Sequence, residues 1–208
     1  MMASPPSGPS RRFALLVLVC AVASLGTQFV VSQAQMGVPP LAVLWRMAGY
    51  FTVLTNLAVA ITMLALVARV EVGPQLAAAL LLAILMVGIV YHLVLARLWA
   101  PQGLAWWADQ GLHSLVPLLT LFWWLRFAPK KPGLTTVPLL LIWPSIYVLY
   151  ALLRGGQSGF WPYPFIDADR LGTRQVWVNI AGLEVAAAAG LGAAILLLGG
   201  WLAYRTKD

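Results

Sequence analysis

The sequence predicts an all-α membrane protein, a compact bundle of six transmembrane helices with both termini on the cytoplasmic side. Three observations carry that prediction. The 208 residues are 62% hydrophobic and 9% charged, whereas a soluble domain has about 25% charged residues. Mean hydropathy is +0.87. Apolar runs of about 20 residues, the length that crosses a bilayer, alternate with short turns rich in Pro, Gly or basic residues.

The same composition excludes several function classes. The net charge is +7, but the basic residues stand singly between apolar runs. A nucleic-acid footprint would be a clustered patch, so no nucleic-acid partner is expected. Cys20 is the one cysteine, which rules out a disulfide framework and a thiolate metal site; it reads as a small buried hydrophobe. Two histidines are too few for a His-rich di-iron centre, and Lys130, Lys131 and Lys207 all fall outside the apolar runs, leaving no lysine for a retinal Schiff base. Neither metal nor cofactor is expected.

Taken in order, residues 1–12 are Pro/Ser-rich and end in Arg11-Arg12, a disordered cytoplasmic lead. Ser10-Arg11-Arg12-Phe13 resembles a twin-arginine signal, but the run over residues 13–32 is too long for a signal core and fits an uncleaved span. Pro39-Pro40 closes a short loop, and the second span covers residues 41–67. Gly73-Pro74 turns the chain into a third span over residues 75–98, and Pro101-Gln102-Gly103 with Trp106-Trp107 forms an interfacial loop. A fourth span over residues 110–125 ends at Arg126 and the basic turn Pro129-Lys130-Lys131-Pro132-Gly133. The fifth span covers residues 134–153, the longest loop residues 155–175, and the sixth span residues 176–203. Residues 13–204 thus read as one six-helix domain followed by a cytoplasmic tail, 205–208.

Orientation follows from the positive residues. With the N-terminus inside, Arg11, Arg12, Arg69, Arg126, Lys130, Lys131, Arg205 and Lys207 are cytoplasmic, eight against the five of Arg46, Arg97, Arg154, Arg170 and Arg174. In that frame the unusual polar side chains gather in the outer half of the bundle. Thr52 and Asn56 lie about 15 and 20 Å along the second span at about 1.5 Å per residue. His113 is about one turn into the fourth span. Asn179 and Glu184 are early in the sixth, and Tyr91, His92, Tyr147 and Tyr150 late in spans that run outward.

Each of these residues has a bland reading beside a functional one. A threonine in a membrane helix commonly bonds the carbonyl one turn back, and Asn56, on the same face as Thr52, suits an interhelical hydrogen bond. His92 fits an interface residue. Arg46 reads as an outer anchor. His113 follows Asp109 by one turn, so the carboxylate can hold its imidazole in one tautomer. Glu184 stands among Gly, Leu and Ala, with Arg46 or His113 as candidate partners, and structural and functional roles weigh equally for it. A hydroxyl nucleophile needs a base within reach, and His113 and His92 are the only neutral-pH bases in the apolar runs. Thr52 with His113 is the minimal couple for acyl transfer.

Three motifs in order carry a resemblance. They are Tyr50-Phe51-Thr52-Val53-Leu54-Thr55-Asn56, Asp109-Gln110-Gly111-Leu112-His113-Ser114 leading to Pro117, and Trp161-Pro162-Tyr163-Pro164-Phe165-Ile166-Asp167. Over residues 45–180 the chain resembles the androgen-induced-protein family of membrane lipid hydrolases, and in particular its bacterial relatives. The resemblance implies about six helices and a threonine-dependent hydrolase of fatty acid esters of hydroxy fatty acids, here in a bacterial inner membrane. It places the nucleophile on Thr52, with Thr55 as the alternative, and the histidine on His113. Where relatives often carry asparagine, this chain has Asp109. Asn56, Asp109 and Glu184 would orient the pair. Thr55, His92, Tyr147, Tyr150, Trp161, Tyr163, Pro164, Phe165 and Asp167 would line or cap the pocket. Membrane lipids or a lipid ester are the expected partners.

Two other classes use the same residues. A lipid- or sterol-binding protein or small transporter would keep the pocket without turnover, although the two three-span halves lack the internal similarity of many transporters. A scaffold subunit would use the polar residues only to pack helices.

Overall fold

Ser7 starts the first helix. Its Oγ accepts the amide of Ser10 at 3.4 Å, Pro9 occupies the first turn, and Gly37 ends the helix with φ 61°. The resulting helix α1, Gly8–Met36, takes in the last residues of the expected lead, because the cap lies ahead of the apolar run. The structure, a computed structural model, describes residues 6–130 and 136–205. Lys131, Pro132 and Gly133 of the basic turn, residue 134 at the expected start of the fifth span, and Lys207 in the tail lie outside the described residues.

Every regular element among the described residues is helical. Among the described residues, four helices are long and apolar enough to cross a membrane: Gly8–Met36, Pro74–Leu95, Pro138–Ser158 and Thr173–Tyr204. A fifth is reached if a bent pair, Pro40–Met47 and Phe51–Val67, is one span. These are the marks of an integral membrane protein. The chain groups into two compact units, Met1–Lys130 and Lys131–Asp208.

In the first unit α1 packs along α3 and against α5 and α6. Its buried stripe is Ser10, Ala14, Val17, Ala21 and Ser24, small residues three or four apart. In lipid such a stripe lets helix backbones approach closely. The second span is not continuous as expected. Helix α2, Pro40–Met47, and helix α3, Phe51–Val67, meet at 94°. The chain tightens through Gly49 N–H to Arg46 O and Tyr50 N–H to Met47 O, both 3.0 Å, and Tyr50 is extended at φ −99° and ψ 131°. Bonds closed over three residues end a helix, and an apolar run cannot disclose them. At its other end, α3 has its terminal Val67 carbonyl held by the Arg11 guanidinium, Nε at 3.2 Å and Nη2 at 3.1 Å.

Helix α4, Pro74–Val90, runs on through a π turn, Tyr91–Leu95. Helix α5, Leu104–Gln110, a second π turn, Gly111–Leu115, and α6, Val116–Phe127, follow one another without a break. Trp106 and Trp107 are therefore helical, not loop residues. This segment falls outside the strongly apolar set because Asp109, Gln110, His113 and Ser114 dilute it. Helix α4 packs on α3 and α6, and Phe13 of α1 sits 4.9 Å from Phe122 of α6 by ring centroids.

The second unit contains α7, Val137–Ser158, with Pro144 inside it, and a short 3-10 turn, Pro164–Ile166. Helix α8, Ala168–Leu171, is capped by the Asp167 side chain, which accepts the amide of Arg170 at 3.0 Å. Helix α9, Thr173–Ala186, passes through a π turn, Ala187–Gly192, into α10, Ala193–Arg205.

Candidate functional site

The two π turns of the first unit meet. Tyr91 in one stacks on His113 in the other, with ring centroids 3.9 Å apart and planes 15° from parallel. Sequence explains the widening at His113: Pro117 has no N–H to offer its carbonyl. It also explains the close approach. A Cβ added at Gly88 of α4 would lie 3.0 Å from the His113 oxygen and 3.5 Å from Pro117 Cβ. A Cβ at Gly111 would lie 2.8 Å from Ser24 Cβ and closer still to its hydroxyl. Two glycines thus set the position of the His113 turn between α1 and α4. π turns of this kind recur at functional sites.

Thr52 comes from α3. The break after α2 makes it the second residue of a new helix, not a point in mid-span as expected. Its Oγ1 lies 3.3 Å from His113 Nε2, and it is 8% exposed. His113 Nδ1 lies 3.0 Å from the Asp109 carbonyl oxygen. That oxygen can only accept, so Nδ1 carries the proton and the neutral ring presents a lone pair at Nε2 to the Thr52 hydroxyl. The Asp109 carboxylate is also near, with Oδ1 3.3 Å from Nδ1, but the directed hydrogen bond goes to the backbone. The expected carboxylate acceptor is thus replaced by the backbone oxygen of the same residue, because the helical i, i+4 geometry brings that carbonyl in line with Nδ1.

Asp109 is 1% exposed and organises the groups around it. Its Oδ2 accepts from the Tyr91 hydroxyl and from Gln110 Nε2, the latter at 3.3 Å. Donation by Nε2 fixes the Gln110 amide, so Oε1 accepts the Ser114 hydroxyl proton at 2.9 Å. Ser114 has then spent its one proton, and His92 Nε2, 3.0 Å from Ser114 Oγ, must be the donor there. Every bond in this chain points toward Asp109. Ser114 and exposed His92 therefore do not form a second nucleophile–base couple in this arrangement.

Asn56 lies one turn beyond Thr52, fully buried. Its Nδ2 donates to Thr52 O at 2.9 Å and to Leu112 O at 3.2 Å. It ties the Thr52 turn to the strand of helix that carries His113. Thr55 is fully buried on the same helix.

The remaining sequence candidates belong to the second unit. Glu184 Oε1 accepts from Ser145 Oγ at 3.0 Å, joining α9 to α7. Tyr147 lies 6.3 Å from Tyr150 and 6.4 Å from Tyr163 by ring centroids, and Tyr163 stacks on Phe165 at 5.3 Å. Arg154 Nη1 donates to Tyr150 OH at 2.7 Å. Trp161 donates to Asp169 Oδ2 at 2.7 Å, and its ring occupies the space a side chain at Gly155 would need. Pro164 opens the 3-10 turn, Asp167 caps α8, and Asn179 Nδ2 holds the Phe165 carbonyl at 2.9 Å.

Sequence reasoning missed Tyr91 and Gln110 as members of the site. Gln110 and Ser114 are four residues apart, a spacing that places them on one helix face and was readable. The Tyr91 contact joins different helices, and no spacing reveals it. Comparisons of the chain with protein-family models, curated proteins and solved structures found no match.

Proposed function

We propose that the chain is an intramembrane lipid ester hydrolase with Thr52 as nucleophile and His113 as general base. The observation that carries this reading is the Thr52 Oγ1 to His113 Nε2 separation of 3.3 Å, with the opposite ring nitrogen held by Asp109. Nucleophile, base and orienting group in that order are what activates a hydroxyl, and such contacts are often loose without substrate. Nε2 takes the hydroxyl proton as Oγ1 bonds to the ester carbonyl carbon. The tetrahedral intermediate then collapses, and the alcohol leaves with the proton from Nε2. Water attacks the acyl-threonine in a second round, giving its proton to Nε2 and releasing the acid and the free Thr52 hydroxyl.

Position at the start of α3 favours this chemistry. The helix is 17 residues long, and the positive end of its dipole lies at the Thr52 turn, where negative charge develops. Asp109 stabilises the transient imidazolium. The surrounding helices are apolar, so an ester with long acyl chains is the substrate class that reaches the site from lipid. Fatty acid esters of hydroxy fatty acids, which the resemblance to the androgen-induced-protein family implies, belong to that class. In the membrane we place six crossings, counting the bent pair and residues 104–127, with both termini inside a bacterial inner membrane; the positive-residue bias supports that orientation.

The test is labelling of the purified protein with a phosphonate probe for serine and threonine hydrolases. Thr52→Ala should abolish labelling, whereas Thr55→Ala should retain it. Labelling that survives both substitutions would overturn the assignment of the nucleophile.

A further inference from the structure

We infer that Tyr91 is the positioning residue of the Thr52–His113 pair, acting through Asp109; the assignment rests on the hydrolase reading above. Two contacts of one side chain carry it. The phenol ring lies flat on the imidazole at 3.9 Å and 15°, which fixes the plane in which Nε2 points toward Thr52. The phenol hydroxyl donates to Oδ2 of the carboxylate whose other oxygen faces His113 Nδ1 at 3.3 Å. Tyr91 therefore restrains both the base and the charge beside it.

Its surroundings leave that side chain little freedom. Tyr91 is 5% exposed and sits where α4 widens into a π turn. One turn earlier, Gly88 brings α4 against the His113 carbonyl, the approach that a stacking distance of 3.9 Å requires. Gln110 Nε2, at 3.3 Å, is the weaker second donor on the same Oδ2. Without the phenol hydroxyl, the carboxylate loses its donor from α4 and can turn away from Nδ1. The polar and ring contacts of Tyr91 are with Asp109, His92 and His113, so its loss should slow the chemical step and leave binding unchanged.

The experiment is the saturation kinetics of phosphonate labelling, which separates the bound-state rate kinact from the dissociation constant KI. Wild type, Tyr91→Phe, Asp109→Asn and the double variant are compared. Tyr91→Phe keeps the stacked ring and should lower kinact about tenfold or more, the effect of losing a hydrogen bond to a charged group, with KI unchanged. In the Asp109→Asn background, the same substitution should add no further loss, because the two act as one unit. Thr52-dependent labelling at the wild-type rate in Tyr91→Phe, or losses that multiply in the double variant, would overturn the assignment and leave the hydrolase reading standing. Absence of labelling at Thr52 in wild type would overturn both. Should Tyr91→Phe not purify as folded protein, 3-fluorotyrosine at position 91 keeps the shape and strengthens the donor. An unchanged kinact there counts against the role, and a changed one supports it.

Discussion

Replacing Gly111 by alanine should displace the turn that carries His113. The new Cβ would lie 2.8 Å from Ser24 Cβ, where carbon atoms rest at about 3.5–4.0 Å. Even this contact demands a shift of roughly 1 Å, and the Ser24 hydroxyl is nearer still. Ser24 cannot swing away easily, because its Oγ is bonded to the Cys20 carbonyl at 2.8 Å and its Cβ is fixed to α1. Overpacking of this kind costs about 1–3 kcal/mol. His113 is two residues on, and a misplacement of roughly 1 Å can cost about a hundredfold in rate. Thermal unfolding in detergent and phosphonate labelling would measure the two effects. Ser24→Gly removes the obstructing atoms, so Gly111→Ala should cost far less stability and rate in a Ser24→Gly background than in wild type. A Gly111→Ala protein as stable and as quickly labelled as wild type would refute this account of helix approach. So would a defect that Ser24→Gly leaves untouched.

Asn56→Leu should lower stability by roughly 0.6–1.7 kcal/mol, the range for hydrogen bonds between membrane helices, and should slow labelling more than Leu57→Ala on the lipid-facing side of α3; unfolding in mixed micelles checks the first, labelling the second. Lys130 gives a pH effect whose sign is fixed. Burial pushes its amine down from 10.5 to about 8, while Nζ donates to the carbonyls of Trp124 and Ala128. Between these values the unfolded chain holds the extra proton, so stability rises with pH across that window. Melting temperatures from pH 7.5 to 10.5 should show this rise in wild type, and Lys130→Met should remove that contribution.

Hydropathy made much of the architecture legible. The runs that became α1, α4, α7 and the α9–α10 segment are continuous and apolar, and their polar or Gly/Pro flanks mark the ends closely. The break before Phe51 was not legible. Residues 41–67 read as one span because the turn is made by backbone bonds at Gly49 and Tyr50, and the apolar pattern continues through them. That break moved Thr52 from mid-helix to a helix start. Asp109 and His113 were visible as an i, i+4 pair, but the spacing could not show that the backbone oxygen of Asp109 takes the proton and its carboxylate stands aside. Tyr91 is a long-range contact built by Gly88, and an apolar helix ending in an aromatic residue looks the same whether or not such a contact exists.

The most direct test is to find the acyl group. Purified protein is mixed with a long-chain ester of a hydroxy fatty acid, quenched in acid during turnover, and its peptides are weighed by mass spectrometry. The account predicts the acyl mass on the peptide containing Thr52, localised to that residue, and absent from His113→Ala, which cannot activate the hydroxyl. Ester turnover that proceeds undiminished in Thr52→Ala, or an acyl group on any other residue, would contradict it.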